Sequence, residues 1–171
     1  AAKQIALSID GRPDDYVLSL SADVEADVPA AGLAKPVAGR IHLAAAGGLA
    51  GTKISDASFS SSEGNLALSG VFGWGDGLTW NAKVDASSLK AKPFFPKLPL
   101  ELSAGAASEG TFSAWSNWRA ALSDVRVDGT IQGAPIRLRA AGSLDSARQV
   151  SIPGISLLLG KNTVSLKGKS D

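Results

Sequence analysis

Few residues of this 171-residue chain are of a type that supports catalysis or metal binding. The single histidine, His42, falls on the polar side of an alternating stretch, and the chain has no cysteine and no second histidine to complete a metal site. Asp14 and Asp15 follow a Gly-Arg-Pro turn, whereas Asp124 and Asp128 alternate outward on a strand. Because two-carboxylate chemistry needs side chains that converge in a pocket, we interpret all of these as solvated surface groups.

The glycine-rich stretches could suggest a phosphate-binding loop. Residues 70–77 contain four glycines, and lysines follow Gly160 and Gly168. None of these stretches has the Gly-x-x-x-x-Gly-Lys-Ser/Thr spacing of such a loop, and hairpin turns explain them better. The sequence therefore predicts no catalytic residue, no cofactor and no metal ligand, and the chain is not expected to be an enzyme.

Composition excludes several further classes of protein. The 17 Lys and Arg residues nearly balance the 16 Asp and Glu, and no basic stripe with interleaved aromatics is present, so we expect no nucleic-acid partner. Hydrophobic residues reach 44% but aromatics only 6%, so much of the apolar content is alanine. The longest apolar stretches, such as residues 155–159, are far shorter than the roughly 20 residues of a membrane-spanning helix.

Period-two alternation is the dominant pattern and predicts an all-β fold. In residues 16–28 the even positions are apolar and the odd positions mostly polar, as in a strand with one face in water. Gly75, Asp76 and Gly77 separate two such runs, which predicts a hairpin with Phe72 and Trp74 on the same face as Leu78 and Trp80. Helix is a rival only at residues 115–122, where Trp115, Trp118 and Leu122 have helical spacing although Trp118, Ala120 and Leu122 also alternate.

A degenerate internal repeat accompanies the alternation. Gly11, Gly70 and Gly129 each end a unit of two alternating apolar residues, and successive units lie 59 residues apart. Other pieces return near the same offset, for example Ala-Lys-Pro at residues 34–36 and 91–93. We predict one β-groove segment over residues 1–171, cut from a longer array, with repeats of about four strands at residues 11–70, 70–129 and partially 129–171.

An apolar sheet face must be buried, either in a sandwich, in a closed barrel or in a trough that holds an apolar ligand. The repeat and the abundance of alanine and glycine favour the trough, because small side chains fill an inter-sheet core poorly. The closed sandwich, serving as a binding or adhesin module, is the alternative. The residues predicted to line the groove are Leu18, Leu20, Ile41, Leu43, Leu66, Leu68, Phe72, Trp74, Leu78, Trp80, Val84, Leu100, Leu102, Leu122, Val127, Leu138, Ile155, Leu157, Leu159 and Leu166.

Two phrases of the sequence resemble a known family, TamB, the inner-membrane subunit of the translocation and assembly module, which is related to AsmA-like proteins. One phrase is Ile155-x-Leu157-x-Leu159-Gly160-Lys161-Asn162-Thr163-Val164-x-Leu166-x-Gly168. The other is Gly64-Asn65-Leu66-x-Leu68-x-Gly70, followed by Leu78-x-Trp80-x-Ala82-x-Val84 and Leu98-x-Leu100-x-Leu102. The motifs are patterns of apolar residues and glycines, and it is their order that resembles the family over essentially the whole chain.

The resemblance implies a fold, a location and partners. It implies a curved half-pipe of β-strands with a greasy interior, in the periplasm, belonging to a protein anchored in the inner membrane of a Gram-negative bacterium. It also implies an outer-membrane partner of the Omp85 type, TamA, and roles in moving phospholipids to the outer membrane and in assembling autotransporters and other outer-membrane proteins. The cargo would be phospholipid acyl chains or nascent outer-membrane strands. Without the anchor, the chain is expected to be an internal or C-terminal-side segment.

Overall fold

The computed structural model describes residues 2–26, 37–90 and 100–170, and this part of the chain is built of strands joined by turns. Eleven strands follow one another along the sequence: β1 (Ala2–Arg12), β2 (Asp15–Ala26), β3 (Val37–Gly48), β4 (Gly51–Ser61), β5 (Gly64–Gly73), β6 (Leu78–Lys90), β7 (Leu100–Ala114), β8 (Asn117–Ile131), β9 (Ala134–Asp145), β10 (Val150–Leu159) and β11 (Asn162–Ser170). The predicted all-β class is confirmed.

All eleven strands form one antiparallel sheet in which the spatial order is the sequence order, β1 to β11. Each interior strand pairs with the strand before it and the strand after it, while β1 pairs with β2 and β11 with β10. The extensive contacts between strands likewise join only sequence neighbours. The sheet is therefore an open, curved half-pipe, and the closed sandwich considered as an alternative does not form.

The hairpin turns predicted from glycine are present at residues 75–77 and 160–161, but Gly70 and Gly73 lie within β5 and Gly168 lies within β11, so the prediction of turns at those glycines was wrong. Gly77, with φ 133°, ends the turn between β5 and β6, and Gly160, with φ 60°, begins the turn between β10 and β11. Between β8 and β9, Gln132 and Gly133 both have positive φ, 48° and 80°, the conformation of a two-residue type I′ hairpin. These turns give tight antiparallel connections whose twist matches that of the flanking strands.

The possible helix at residues 115–122 is not present. Strand β7 continues to Ala114, residues 115–116 turn, and β8 begins at Asn117. Trp118, Ala120 and Leu122 alternate along β8, where they stand opposite apolar-face residues of β7. The two-residue period of a strand prevails over the helical spacing because pairing with β7 gives each side chain a cross-strand neighbour.

β-Bulges interrupt the register along the sheet and bend the strands. Extra residues lie between Ile54 and Ala57 in β4, between Ala86 and Leu89 in β6, and between Leu122 and Val125 in β8. Similar register shifts occur in β1 and in β10. A bulge adds one residue to one strand of a pair, which kinks that strand and increases its local twist. The bulges thus give the sheet curvature that an uninterrupted ladder would lack.

The described residues have almost no buried core. Ala22, at 8% exposure, is the one hydrophobic residue among them that is buried. The chain exposes 11342 Å², against about 7,800 Å² expected for a compact protein of its mass. The described residues also contain no helix of the length and hydrophobicity that crossing a membrane would require.

The strands also locate the units of the predicted repeat. Gly11 lies in β1, Gly70 in β5 and Gly129 in β8, so the first 59-residue interval advances four strands and the second three. Val28, Leu98 and the Ala-Lys-Pro pieces at residues 34–36 and 91–93 lie outside the described residues. The repeat, and the membership of this segment in a longer array, remain predictions.

Candidate functional site

One face of the sheet is apolar along its whole breadth, and we call it the apolar face. Residues opposite each other in antiparallel strands point to the same side. Following these pairs from β2 to β11 gives one continuous row: Ala22, Ile41, Phe59, Leu66, Ala86, Ala104, Val127, Leu138, Leu157 and Val164. The sheet from β1 to β11 has ten interstrand spacings of about 4.8 Å, which make the apolar face about 48 Å long.

The structure brings the predicted lining residues together on this face. Every one of them except Trp74 belongs to a strand and points to the apolar face in the pairing register. Trp74 lies one residue beyond the end of β5, where its backbone N–H donates to the carbonyl oxygen of Ala50 over 2.9 Å. The predicted pairing of aromatics is also present, since Phe72 stands directly opposite Trp80.

Other residues of the apolar face were not predicted as lining. They include Leu7, Ile9, Ile54, Phe59, Leu89, Phe112, Trp118, Ile131, Ile136, Leu144 and Val164. In β4 the bulge explains the omission, because Ile54 and Phe59 have opposite sequence parity yet share a face once the extra residue is inserted. Reading parity separately on each side of a polar pair such as Ser55-Asp56 would have found them.

Large side chains of the apolar face are exposed to solvent. Leu66, Leu78, Val84, Leu122 and Leu159 are each 44–47% exposed, although their chemistry favours burial. Exposed apolar surface of this extent is typical of a binding surface. A hollow of 340 Å³ deepens it between β7 and β10, with Ser108, Leu122 and Leu144 among its lining residues.

Glycine and alanine leave room for large neighbours to lie flat on the apolar face. A Cβ at Gly110 would collide with the Trp80 ring, and one at Gly129 with the Leu102 side chain. The indole N–H of Trp80 donates to Ser108 Oγ at 3.0 Å, which fixes the ring across β7. Small residues therefore sit beneath the large ones, and the surface becomes a shallow trough.

The opposite face, which we call the polar face, carries the charged side chains of the described strands. Asp23 on β2 accepts from Arg40 on β3, with Nε to Oδ1 at 2.8 Å. This hydrogen bond holds the pKa of the Asp23 carboxyl below its usual value and raises the pKa of Arg40. His42 is also on this face, as predicted, with its Nε2 3.8 Å from Asp56 Oδ2.

Two ion-pair clusters bridge the later strands on the polar face. Asp128 on β8 accepts from Arg139 on β9 at 2.8 Å, and this bond, supported by Arg137, holds the pKa of the Asp128 carboxyl below its usual value. Arg126 on β8 reaches Asp85 on β6 and also pairs with Asp124.

The cluster around Arg126 depends on a glycine in the strand between its partners. Gly105 on β7 is opposite both Arg126 and Asp85, and a Cβ there would lie 2.8 Å from Asp85 Oδ1 and 2.9 Å from Arg126 Cζ. Because Gly105 has no side chain, the ion pair spans three strands.

The acidic residues singled out in the sequence occupy different strands and turns. Among the described residues no group of three or more His, Cys, Asp or Glu side chains is placed to hold a metal ion. Asp14 lies in the β1–β2 turn and Asp15 begins β2, while Asp124 and Asp128 engage arginines, so these carboxylates act as surface groups.

An open antiparallel meander whose described strands carry no charge on the apolar face is the architecture of an open β-groove protein. The sequence matches the family described as TamB, N-terminal domain, over residues 1–171, and the chain therefore belongs to the TamB family, whose members work in transport and assembly in the cell envelope. The match to the family's N-terminal domain differs from the internal or C-terminal-side position that we expected. No solved structure matches the chain.

Proposed function

We propose that the chain is a non-catalytic conduit whose apolar face shields phospholipid acyl chains as they cross the aqueous space between the inner and outer membranes. One observation carries the proposal: an apolar row runs from β2 to β11, and none of the described strands forms a second layer over it. A cargo of matching polarity would cover that surface.

The driving force is burial alone. Removing apolar surface from water contributes roughly 25 cal/mol per Å², or about 0.8 kcal/mol for each methylene of an acyl chain. Because neighbouring strands present similar side chains, a lipid moving along the 48 Å face by steps of about 4.8 Å would meet a similar free energy at each step. That evenness supports movement of the lipid, as opposed to its retention at one place.

A second candidate cargo is a nascent outer-membrane strand, bound at the edge of the sheet. Among the described strands none pairs with the outer edge of β1, whose residues are exposed throughout. An exposed edge can accept an extended segment by β-augmentation. In this role the protein would assist the secretion and assembly of autotransporters and other outer-membrane proteins. The client strand would bind at the sheet edge, whereas lipids would bind on the apolar face.

The setting that we propose follows from family membership. The segment would lie in the periplasm of a Gram-negative bacterium, as part of a longer protein anchored in the inner membrane, and that protein would act with TamA in the outer membrane. The charge-free face supports this setting, because a sheet that stays uncovered in water needs a cargo or a neighbouring segment.

A charge placed in the trough tests lipid transport. Leu68 on β5 faces the apolar trough between Ala57 and Val84, whereas Val71 on the same strand faces the polar side and is 53% exposed. In the intact protein, Leu68→Arg should lower phospholipid transfer between membranes by about tenfold or more, because the acyl chains must pass a cation. Val71→Arg is the matched control and should transfer lipid normally.

Unfolding must be separated from blocked transfer. Leu157→Arg provides the second variant, since Leu157 is 39% exposed on β10 and its cation can reach water with less strain. Thermal unfolding should show Leu157→Arg folded, with transfer still reduced. Normal transfer by folded Leu157→Arg would show that acyl chains do not use this face. Loss of outer-membrane protein assembly with intact lipid transfer would favour the edge-bound strand.

A further inference from the structure

All four tryptophans of the chain lie at one end of the strands. We call this end the aromatic rim; its turns are residues 13–14, 49–50, 74–77, 115–116 and 146–149. Trp74 and Trp115 lie in these turns, while Trp80 and Trp118 lie within the first three residues of β6 and β8. The second rim has its described turns at residues 62–63, 132–133 and 160–161, and none of those turns contains an aromatic residue.

The tryptophans of the aromatic rim are held in place. The Trp74 indole N–H donates to the carbonyl oxygen of Leu49 at 2.8 Å, which ties two turns together. Trp115 packs edge-on against Phe112, with ring centroids 5.4 Å apart and planes at 85°. Phe112 in turn stands opposite both Leu78 and Trp118 on the apolar face. The aromatic groups therefore continue the apolar face up to its boundary with water.

Two of the four indoles keep an available donor. Trp74 and Trp80 donate to protein acceptors, whereas the N–H groups of Trp115 and Trp118 donate to no acceptor in the part of the chain that the structure describes. Trp115 is 86% exposed. A tryptophan with an apolar ring on a greasy surface and a donor toward water suits the region of a lipid where acyl chains meet ester and phosphate oxygens.

We infer that the aromatic rim holds the glycerol-ester and headgroup end of a phospholipid whose acyl chains lie on the apolar face and point toward the second rim. This inference rests on the proposed function and adds an orientation to it. Strands of 10 to 15 residues such as β5 and β7 run for about 33–50 Å, so chains that start at the aromatic rim lie entirely on the apolar face. Each lipid would keep its polar end on the same side of the trough along the whole length.

Photo-crosslinking from single positions of the intact protein tests the orientation. A benzophenone amino acid replaces Trp115 or Trp118 at the aromatic rim, and Phe59 or Leu66 near the second rim serves as the matched position. After illumination with phosphatidylethanolamine vesicles, mass spectrometry identifies the lipid fragment attached. We expect glycerol and headgroup fragments to be about fivefold more frequent at the aromatic rim than at the second rim, and acyl fragments to be about fivefold more frequent at the second rim. A fivefold ratio is what one hydrogen bond would give.

The indole donors are tested separately. Trp118→Phe keeps an aromatic ring without the N–H group, and Trp118→Ala removes both. We expect Trp118→Phe to lower the headgroup crosslinks at position 115 by about fivefold, the effect of one hydrogen bond, while acyl crosslinks from Leu66 remain. Headgroup crosslinks that are unchanged in both variants would overturn the assignment of the donor.

The outcomes separate the orientation from the proposed function. Headgroup fragments in equal amounts at both rims would overturn the orientation and leave the conduit standing. Lipid crosslinks at position 115 without any at position 68 in the trough would show that the rim contacts a bilayer surface. That result would also overturn the proposed orientation. No lipid crosslink at any apolar-face position would instead remove the proposed function.

Discussion

The two faces of this sheet come from the same strands and the same alternation, yet they are stabilised in different ways. The apolar face has small residues beneath large ones and no charge in any of the described strands, whereas the polar face has ion pairs that cross from strand to strand. We infer from this difference that backbone hydrogen bonds between the strands and ion pairs on the polar face stabilise the sheet. Among the described residues no buried core depends on the apolar face, so that face is available for a partner.

The exposed apolar face also has a disadvantage for solubility. A large uncovered apolar surface favours aggregation, and an unpaired edge such as that of β1 adds to the hazard. Charges on the polar face favour solubility on one side only. Cargo or neighbouring segments on the apolar face would therefore matter for solubility as well as for transport.

The largest effect on this comparison should come from filling a glycine beneath a large side chain. In Gly110→Ala the new Cβ meets the Trp80 ring and lies 2.6 Å from the carbonyl oxygen of Arg119, so the free energy of unfolding should fall by about 2 kcal/mol. Gly168→Ala, on the same face of β11, meets nothing within 4 Å and should change stability by less than about 1 kcal/mol. Denaturant unfolding measures both. Equal effects would mean that the small residues are not needed for packing.

The next effect tests the polar face. Arg126 is about one-third exposed and joins Asp85 to Asp124, so Arg126→Ala should lower the free energy of unfolding by about 1 kcal/mol. Arg40→Ala removes a pair in which the arginine is 69% exposed, and stability should stay almost unchanged. A double variant of Arg126 and Asp85 would measure their coupling. A coupling near zero would show that the three-strand ion pair contributes little.

The smallest effect is a pH dependence of the same face. Because the folded-state pKa of Asp128 is lowered by Arg139, its contribution to stability is complete above about pH 4 and is lost as the pH falls through the folded-state pKa. Asp23, paired with Arg40, behaves in the same way. Thermal unfolding at about pH 5 and pH 3 should show a slightly smaller loss of stability in Asp128→Asn than in the parent protein. A larger loss in the variant would contradict this origin.

Much of the architecture was predictable because one physical rule, alternation, covers most of the strands. The turn at residues 75–77 and the shared face of Phe72 and Trp80 followed directly from it. A bulge shifts the parity without a distinctive residue to mark it, so Ile54 and Phe59 could be placed on one face only by reading parity separately on each side of the Ser55-Asp56 pair. The helical spacing at residues 115–122 could be decided only by the partner strand β7, which a local pattern does not contain.

The candidate site likewise has a part that the sequence predicts and a part that it does not. The apolar residues were predictable by parity, but the gathering of tryptophans at one rim depends on the alternating direction of the strands. Trp74 and Trp115 are 41 positions apart in sequence and lie at the same end only because β6 runs away from that end and β7 returns to it. Such a rim becomes visible once the number of strands is known.

The order of the strands bears finally on how the molecule folds. Since each strand pairs only with its neighbours in sequence, every hairpin can form from contacts that are close along the chain, without waiting for a distant segment. Low contact order of this kind favours rapid folding. A chain that enters a compartment from one end could therefore add strands to a growing sheet as they arrive, and damage to one hairpin would stay local, as in other quasi-one-dimensional proteins.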